Sequence, residues 1–571
     1  MSESSDFDAV VVGSGFGGSV MACRLAEAGM ATCLLERGKA YPPGSFPRTP
    51  RDMSRNFWDP SNGGHGLFQV WAFDGIESVV SAGLGGGSLI YANVLLRKDE
   101  KWFVREDLRQ GGVEYWPVTR QDLDPDYDEV ESVLMPTPYP FQSEPYASTP
   151  KTVAFNAAAT QAGLAWQLPP LAITFGNPGH APVPGELVVD AAGHVPENYH
   201  GKARYTCSLV AECDVGCNSG SKNSLDYNFI TRAARAGADV RTRCEVRSFT
   251  SRKGGGFDVY YVGHEAEHEH VKTDTQRLPL VKIGCKKLIL SAGVFGSTYL
   301  LLKNKHAFAG LSSMLGKRFS SNGDLLGFVR NQRTGRDLNP MLGPVITSAV
   351  RVADALDGGS AGAQTAGATG RGFYVEEGGY PLFGGWALEA IDTPGQTKRF
   401  VRFVARAIQR AITRDPRSDL SGELGRLLGK TDSAGTMIML GMGRDIPDGV
   451  MRLNKKWLAL KWSDQSAMAY FSSVRDTMTK IATNLEADFT VYPLWYLRKL
   501  ITVHGLGGCP MGTDSSTGVV NSYGEVFNCS GLYVADGSVM PGAVGANPSL
   551  TIAALANRFA RNIIAPGEGA D

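Results

Sequence analysis

A chain of 571 residues exceeds what one hydrophobic core can hold, since single cores stop growing near about 250–300 residues. Two joined domains, or one large domain with insertions, are therefore expected. Lys+Arg and Asp+Glu both number 57, so no global field recruits a polyanion, and the chain is expected to bind no nucleic acid. The 43% hydrophobic and 20% charged content is that of a soluble globular protein, while 69 glycines far exceed the roughly 7% norm. They cluster in short loops without a repeat, which points to backbone lying against a ligand. Residues 1–7 are polar and acidic with no apolar h-region, so no signal peptide is read and a cytoplasmic location is expected. Nine cysteines in so long a chain suit a reducing compartment.

In chain order, residues 8–12 (Asp-Ala-Val-Val-Val) form a β-branched run, the pattern of a buried parallel strand. The turn Gly13-Ser14-Gly15-Phe16-Gly17-Gly18 follows. A helix is expected over 19–28 with Gly29 at its C-terminal cap, then a strand over 31–35 ending at Glu36. This is one complete βαβ unit. Residues 52–116 read mostly as loop, 121–134 as a helix, and the Pro-rich 136–200 as an irregular surface excursion. A helix over 222–236, strands over 239–246, 256–262 and 286–291, and a helix over 296–303 come next. From about 310 to 490, strands alternate with long amphipathic helices, the pattern of a second domain, and the low-complexity 357–372 reads as a mobile loop. The tail returns to strand–glycine–helix grammar, with a helix from about Ser549, so the first domain draws on both chain ends.

Gly13, Gly15 and Gly18 stand at G-x-G-x-x-G spacing, with Phe16 and Gly17 between them. The first permits a tight turn, the second lets backbone approach a pyrophosphate, and the third lets helix pack on strand. The helix N-terminus presents unpaired N–H groups to phosphate. Glu36, at the end of the second strand, can accept from ribose hydroxyls and would repel a 2′-phosphate, which disfavours NADP. A second loop, Gly83-Leu84-Gly85-Gly86-Gly87-Ser88, is flanked by apolar residues and suits a flat ligand such as a flavin. A lone histidine is more often structural, yet His504 lies among glycines that leave its ring accessible. Asn547-Pro548-Ser549 reads as a helix start whose N-terminus can stabilise negative charge on a reduced flavin.

The turn at 13–18, the acid at 36, the loop at 83–88, Leu290-Ser291-Ala292-Gly293 with Gly296-Ser297, His504-Gly505, and Asp536-Gly537-Ser538 through Asn547-Pro548 together resemble the glucose–methanol–choline (GMC) oxidoreductases in family order. Within that family, Gly15-Phe16-Gly17-Gly18-Ser19, the run 85–89, the Cys-bearing stretch 207–225 and Tyr533-Val534-Ala535-Asp536-Gly537-Ser538 are most similar to the bacterial cholesterol oxidase-like branch. The resemblance implies an α/β fold: a Rossmann-like FAD-binding domain with an inserted α+β substrate domain. The boundaries expected are 1–135, 201–309 and 496–571 for the FAD-binding segments, 136–200 for an excursion or lid, and 310–495 for the substrate domain. It implies FAD across Gly13, Gly15, Gly18 and Glu36, with Val246 near adenine. It puts the loop 83–94, with Gly83, Gly85, Gly86, Gly87, Ser88 and Asn93, against the isoalloxazine. Ala292, Gly293, Asp536 and Gly537 are expected at the cofactor, Asp536 on its ribityl–phosphate part. His504 and Asn547 face the reactive side of the ring, with Pro548 and Ser549 beside them. Some relatives bond flavin covalently through a histidine beside the glycine loop; residues 81–97 contain none, so FAD is expected to bind non-covalently. Cholesterol oxidases of this branch place a glutamate over the substrate; here the stretch 373–380 offers both Glu376 and Glu377 without selecting either.

The expected reaction is FAD-dependent oxidation of an alcohol to a ketone or aldehyde by hydride transfer to flavin N5. His504 takes the hydroxyl proton, since imidazole titrates near neutrality, and Asn547 orients the substrate oxygen. The aromatic 371–387 favours a bulky apolar secondary alcohol, sterol- or terpenoid-like, with oxygen or another electron acceptor. The alternatives are a flavin-dependent lyase or decarboxylase on the same scaffold, a dehydrogenase of sugar hydroxyls, and a flavin-binding protein without catalysis. No metal is expected, because Cys207, Cys213, Cys217 and Cys244 lack paired C-x-x-C spacing. His264, His268 and His270 read as an exposed hairpin tip. Residues 398–414 form a basic amphipathic pattern, read first as a helix with one solvated face and second as a peripheral membrane contact.

Overall fold

The computed structural model describes residues 6–565 except 49, 107–111, 309, 331–332, 334, 336, 359–369, 381–435, 493–494 and 496–498. The basic stretch 398–414 and most of 357–372 lie outside the described residues.

Strand β1 (Asp6–Val12) is wholly buried over Ala9–Val12, so β-branched side chains fill both faces. It pairs in parallel with β2 (Thr32–Leu35) on one side and with the strand Leu280–Leu290 on the other. The full sheet runs Asp239–Arg241, β2, β1, Leu280–Leu290, Phe257–Gly263, Cys244–Ser251, and Leu532–Val534 adds in parallel to Leu280–Leu290. Register aligns Val12 with both Leu35 and Leu290, and Leu290 with Val534. Four strands from distant parts of the chain therefore stop at one level, and the residues that follow them share one edge.

Helix α1 (Phe16–Glu27) is apolar nearly all round and packs between the sheet and the C-terminal helix Ser549–Ile564. It begins three residues before the expected 19, because Gly17 and Gly18 are themselves helical. Each lies where a Cβ would strike backbone, at 1.6 Å from the Ala535 oxygen and 1.9 Å from the Gly13 oxygen. Gly29, at φ +81, ends the helix as expected.

A second, antiparallel sheet has the order Trp166–Gln167, Ala349–Val352, Phe373–Gly378, Met437–Gly443, Leu325–Arg330, Asp488–Val491. Helices Pro150–Gln161 and Met468–Asn484 pack on it and close a second core. A small sheet joins Leu500–Thr502 to Ile76–Ser81 and Phe68–Ala72. No helix among the described residues is long and apolar enough to cross a membrane.

Several elements differ from the sequence reading. The stretch 136–200 carries the helix Pro150–Gln161, started by Pro150, whose fixed φ suits a first turn. Six short strands among the described residues lie within 52–116, the longest of them Ile76–Ser81 paired with Phe68–Ala72. The helix expected over 222–236 is confined to Phe229–Arg235. Its first part is irregular because Lys222 is buried, its Nζ donating to the carbonyls of Leu89, Tyr91 and Cys213. Arg243, at φ +59, splits the strand expected over 239–246. Of the histidines read as an exposed tip, His270 is exposed but His264 is 2% exposed. Its Nε2 bonds Glu245 at 2.7 Å, with its ring edge-on to Trp58.

The second core holds a fully buried ion pair, Lys151 Nζ to Glu377 Oε2 at 2.6 Å, both side chains 0% exposed. Glu377 also accepts from the Thr347 amide at 2.9 Å. Removing one partner of such a pair strands a charge, so Lys151→Met should cost about 3–5 kcal/mol. A drop in the urea midpoint would register the loss, and adding Glu377→Leu should recover most of it.

Candidate active site

A cavity of about 2300 Å³ opens along the shared edge of the main sheet and continues beneath the second sheet. Its wall begins with the residues that follow the four aligned strand ends: Gly13 after β1, Glu36 after β2, Ala292 and Gly293 after Leu290, and Asp536 after Val534. That position, outside the carboxyl ends of parallel strands, is where open α/β sheets bind ligands.

The glycine turn and the second glycine loop are one unit. Ser14 Oγ donates to Glu36 Oε2 at 2.7 Å and accepts from the Gly85 amide at 3.0 Å. Gly86, at φ +53, approaches so closely that a Cβ would stand 2.6 Å from Gly15 Cα. Gly15 and Gly87 face open space instead, since a Cβ on either meets nothing within 4 Å. The N-terminus of α1 has no side-chain cap and no acid in its first turn. An open cradle beside uncapped helix amides fits a pyrophosphate. FAD would lie with its phosphates there and its remaining length along the cavity.

The other residues expected at the cofactor divide cleanly. Phe16, Gly17, Gly86, Gly87, Val246 and Gly537 line the cavity, as do Asn547, Pro548 and Ser549. Gly18, Gly83, Gly85, Ser88 and Asn93 stand behind the wall. Gly18 packs on Gly13, and Ser88 Oγ donates to the Gly85 oxygen at 2.7 Å while accepting from the Leu225 amide. Asn93 is fully buried at φ 72, and neither polar atom of its side chain has a partner. Asp536 organises its own turn: Oδ2 accepts from Ser297 Oγ at 2.5 Å and Oδ1 from Ser538 Oγ at 2.6 Å. Glu36 likewise braces the turn, accepting from the Ser14 and Gly38 amides.

At the far end His504 follows the strand Leu500–Thr502 and meets Asp324, the residue before Leu325–Arg330. Asp324 is 1% exposed. Its Oδ1 lies 2.8 Å from His504 Nδ1, and its Oδ2 accepts from Thr502 Oγ1 at 2.8 Å and from the amides of Val503 and His504. A carboxylate on Nδ1 fixes the tautomer that donates there and leaves Nε2 free. Burial alone would lower the His504 pKa, but the charge and hydrogen bond of Asp324, then the charges of Glu376 and Asp214, raise it above the usual imidazole value.

Asn547 is held from three sides through its loop. Lys98, fully buried, donates to the carbonyls of Ala543 and Val544 at 2.8 and 2.9 Å. Asn322 bonds the Gly545 amide and the Ala546 carbonyl, and Trp102 packs on Gly545, where a Cβ would lie 2.5 Å from its ring. Asn547 Nδ2 donates to Glu376 Oε2 at 3.4 Å, while its Oδ1 and Glu376 Oε1 are buried without partners. Glu376 and Glu377 are neighbours on the strand Phe373–Gly378, so their side chains leave opposite faces. Glu377 goes to Lys151 and Glu376 to Asn547. Burial, opposed by the His504 charge and the Asn547 bond, pushes the Glu376 carboxyl up to about 7.

Asp324, Asn322 and Lys98 were not singled out from sequence. None lies in a recognisable motif, and each acts across more than 175 residues of chain. Cys207 and Cys213 are buried and Cys217 Sγ contacts Ser221 Oγ at 3.1 Å.

Residues 458–556 match the family model described as GMC oxidoreductase. The chain is similar to a cholesterol oxidase of Mycobacterium tuberculosis, 28% identical over 97% of this chain and 90% of that protein. It is also similar to a cholesterol oxidase of Acinetobacter baumannii, 26% identical over 97% and 93%. Among solved structures, pyridoxine 4-oxidase from Mesorbium loti superposes over 97% of this chain and 98% of that one, with a TM-score of 0.54 at 14% identity, a likeness of fold. The family match over 458–556 and the near-full-length likeness to cholesterol oxidases both point to the GMC oxidoreductases, a family of FAD flavoproteins, and to oxidoreductase chemistry on CH–OH groups.

Proposed function

We propose that this enzyme oxidises a bulky, largely apolar secondary alcohol to a ketone, with His504 as the proton acceptor. The observation that carries the reading is His504, bonded through Nδ1 to buried Asp324 at 2.8 Å and lining the cavity together with Asn547. Bound FAD, held non-covalently, supplies the acceptor for the hydrogen and electron pair leaving the carbinol carbon. His504 Nε2 receives the hydroxyl proton. Asp324 keeps the ring in the tautomer that allows this and stabilises the imidazolium once formed. Asn547 positions the substrate oxygen, its own amide set by Glu376. The helix beginning at Ser549 has no acid in its first turn, so its N-terminus favours negative charge arriving nearby.

An apolar substrate is supported by the cavity wall beyond His504, where Ile90, Leu326, Val345, Ile346, Ile438 and Leu440 supply hydrocarbon. It is also supported by the relatives, which include cholesterol oxidases and a long-chain-alcohol oxidase of Arabidopsis thaliana. A cytoplasmic location, and oxygen or another electron acceptor, remain part of this reading.

His504→Ala should slow anaerobic flavin reduction by a factor on the order of 10²–10⁴ while FAD stays bound. Stopped-flow loss of flavin absorbance measures this, and an unchanged rate would reject the assignment. Glu376→Gln tests the coupling separately. His504 must lose its proton to act, so the rate rises with pH through the His504 pKa. The Glu376 charge helps hold that pKa up, so Glu376→Gln should move the acid limb of the pH–rate profile to lower pH. A limb that stays in place or moves up would contradict the coupling.

A further inference from the structure

We infer that Asp214 is a specificity residue that accepts a hydrogen bond from a second hydroxyl of the substrate, one close to the carbinol being oxidised. The inference rests on the reading of His504 as the alcohol site and narrows its substrate class.

Asp214 sits in the short helical turn Cys213–Val215. That turn is fixed from below, because Lys222 Nζ ties the Cys213 carbonyl to those of Leu89 and Tyr91 at 2.7, 3.2 and 2.9 Å. Asp214 lines the same cavity as His504 and Tyr91. Its side chain is exposed to that cavity, although protein surrounds it. No donor among the described residues hydrogen-bonds its carboxylate. Its neighbours on the wall include Ile90, Val345 and Ile346, which can satisfy no acceptor. A carboxylate that faces the cavity without a protein donor takes its hydrogen bonds from what fills the cavity, water or a ligand.

Two further buried acceptors lie without partners at this end of the cavity: Asn547 Oδ1, on a residue 6% exposed that lines the wall, and Glu376 Oε1 just behind it. The reacting hydroxyl brings one proton, which goes to His504. A second donor on the substrate would answer the acceptor that the reaction itself leaves unmet.

The charges around the site admit a neutral donor. Asp324 offsets His504, and Lys222 offsets Asp214, whose carboxyl burial pushes up to about 6 against the pull of Lys222 and His504. Glu376, at about 7, is half neutral near neutrality. With His504 carrying its proton the groups around the site nearly cancel, so a donor without a charge of its own is accommodated. A neutral donor fits.

Four matched probes test this with the FAD-loaded enzyme: a 3β-hydroxysteroid, its 2,3-diol, its 3,4-diol, and its 2-amino-3-ol. Anaerobic flavin reduction should favour a diol over the mono-alcohol by about 10- to 100-fold in kcat/KM, the range of a hydrogen bond to a charged acceptor. Asp214→Asn should shrink that ratio and Asp214→Leu should bring it to one or below. A wild-type ratio near one, a ratio kept in Asp214→Leu, or a preference for the amino alcohol would each overturn the inference. If Asp214→Leu loses its flavin, the wild-type ratio and Asp214→Asn decide. Reduction by none of the probes would remove the alcohol reading and this inference together, whereas equal reduction by all overturns this inference alone.

Discussion

The parallel register of the strand Leu280–Leu290 carries the rest of the structure. Because Leu290 lies level with Val12 and Val534, and Val12 with Leu35, four turns from four parts of the chain meet at one edge. A slip of one residue would turn every side chain to the other face and pull those turns apart. Close backbone contact locks the arrangement. Gly17 lies against Ala535, Gly86 against Gly15, and Ser14 bonds Glu36 and Gly85 at once. The glycines at 17 and 86 serve protein–protein approach, while those at 15 and 87 leave space for a ligand.

The second sheet extends this edge into the far end of the cavity. Asp324 comes from the start of one of its strands and Glu376 from the middle of another, and they reach His504 and Asn547 from opposite sides. Both carboxylates are buried, and their charges raise the histidine's proton affinity against the cost of burial. Lys98, Asn322 and Trp102 hold the Asn547 loop by backbone bonds and packing, so its position is set by groups that never touch the cavity's contents. The Lys151–Glu377 pair balances the charge next to Glu376 and keeps that strand's alternation from burying a lone anion.

The main sheet and the glycine turn were legible from local pattern, because a buried β-branched run, a G-x-G-x-x-G turn and a terminal acid are encoded within about 30 residues. That His504 and Asn547 reach the cavity wall was legible for a related reason: each sits in a short glycine-rich segment of the tail. What escaped is long-range. Glu376 and Glu377 are adjacent, and only Lys151, 226 residues from Glu377, separates their roles. Lys222 interrupts an apparently good helix because three carbonyls from elsewhere bind it, and no window of sequence contains them. His264 reads as a surface residue by its charged neighbours, yet Trp58 and Glu245 enclose it. Propensity lost to tertiary contact in each case.

Whether the site moves electrons or merely rearranges its substrate separates an alcohol oxidation from a lyase reaction on the same scaffold. Mixing the FAD-loaded enzyme with excess 3β-hydroxysteroid in the absence of oxygen decides it in one trace. The account predicts complete loss of the visible flavin absorbance with one ketone formed per flavin. Substrate consumed over many turnovers while the flavin colour stays unchanged would contradict it.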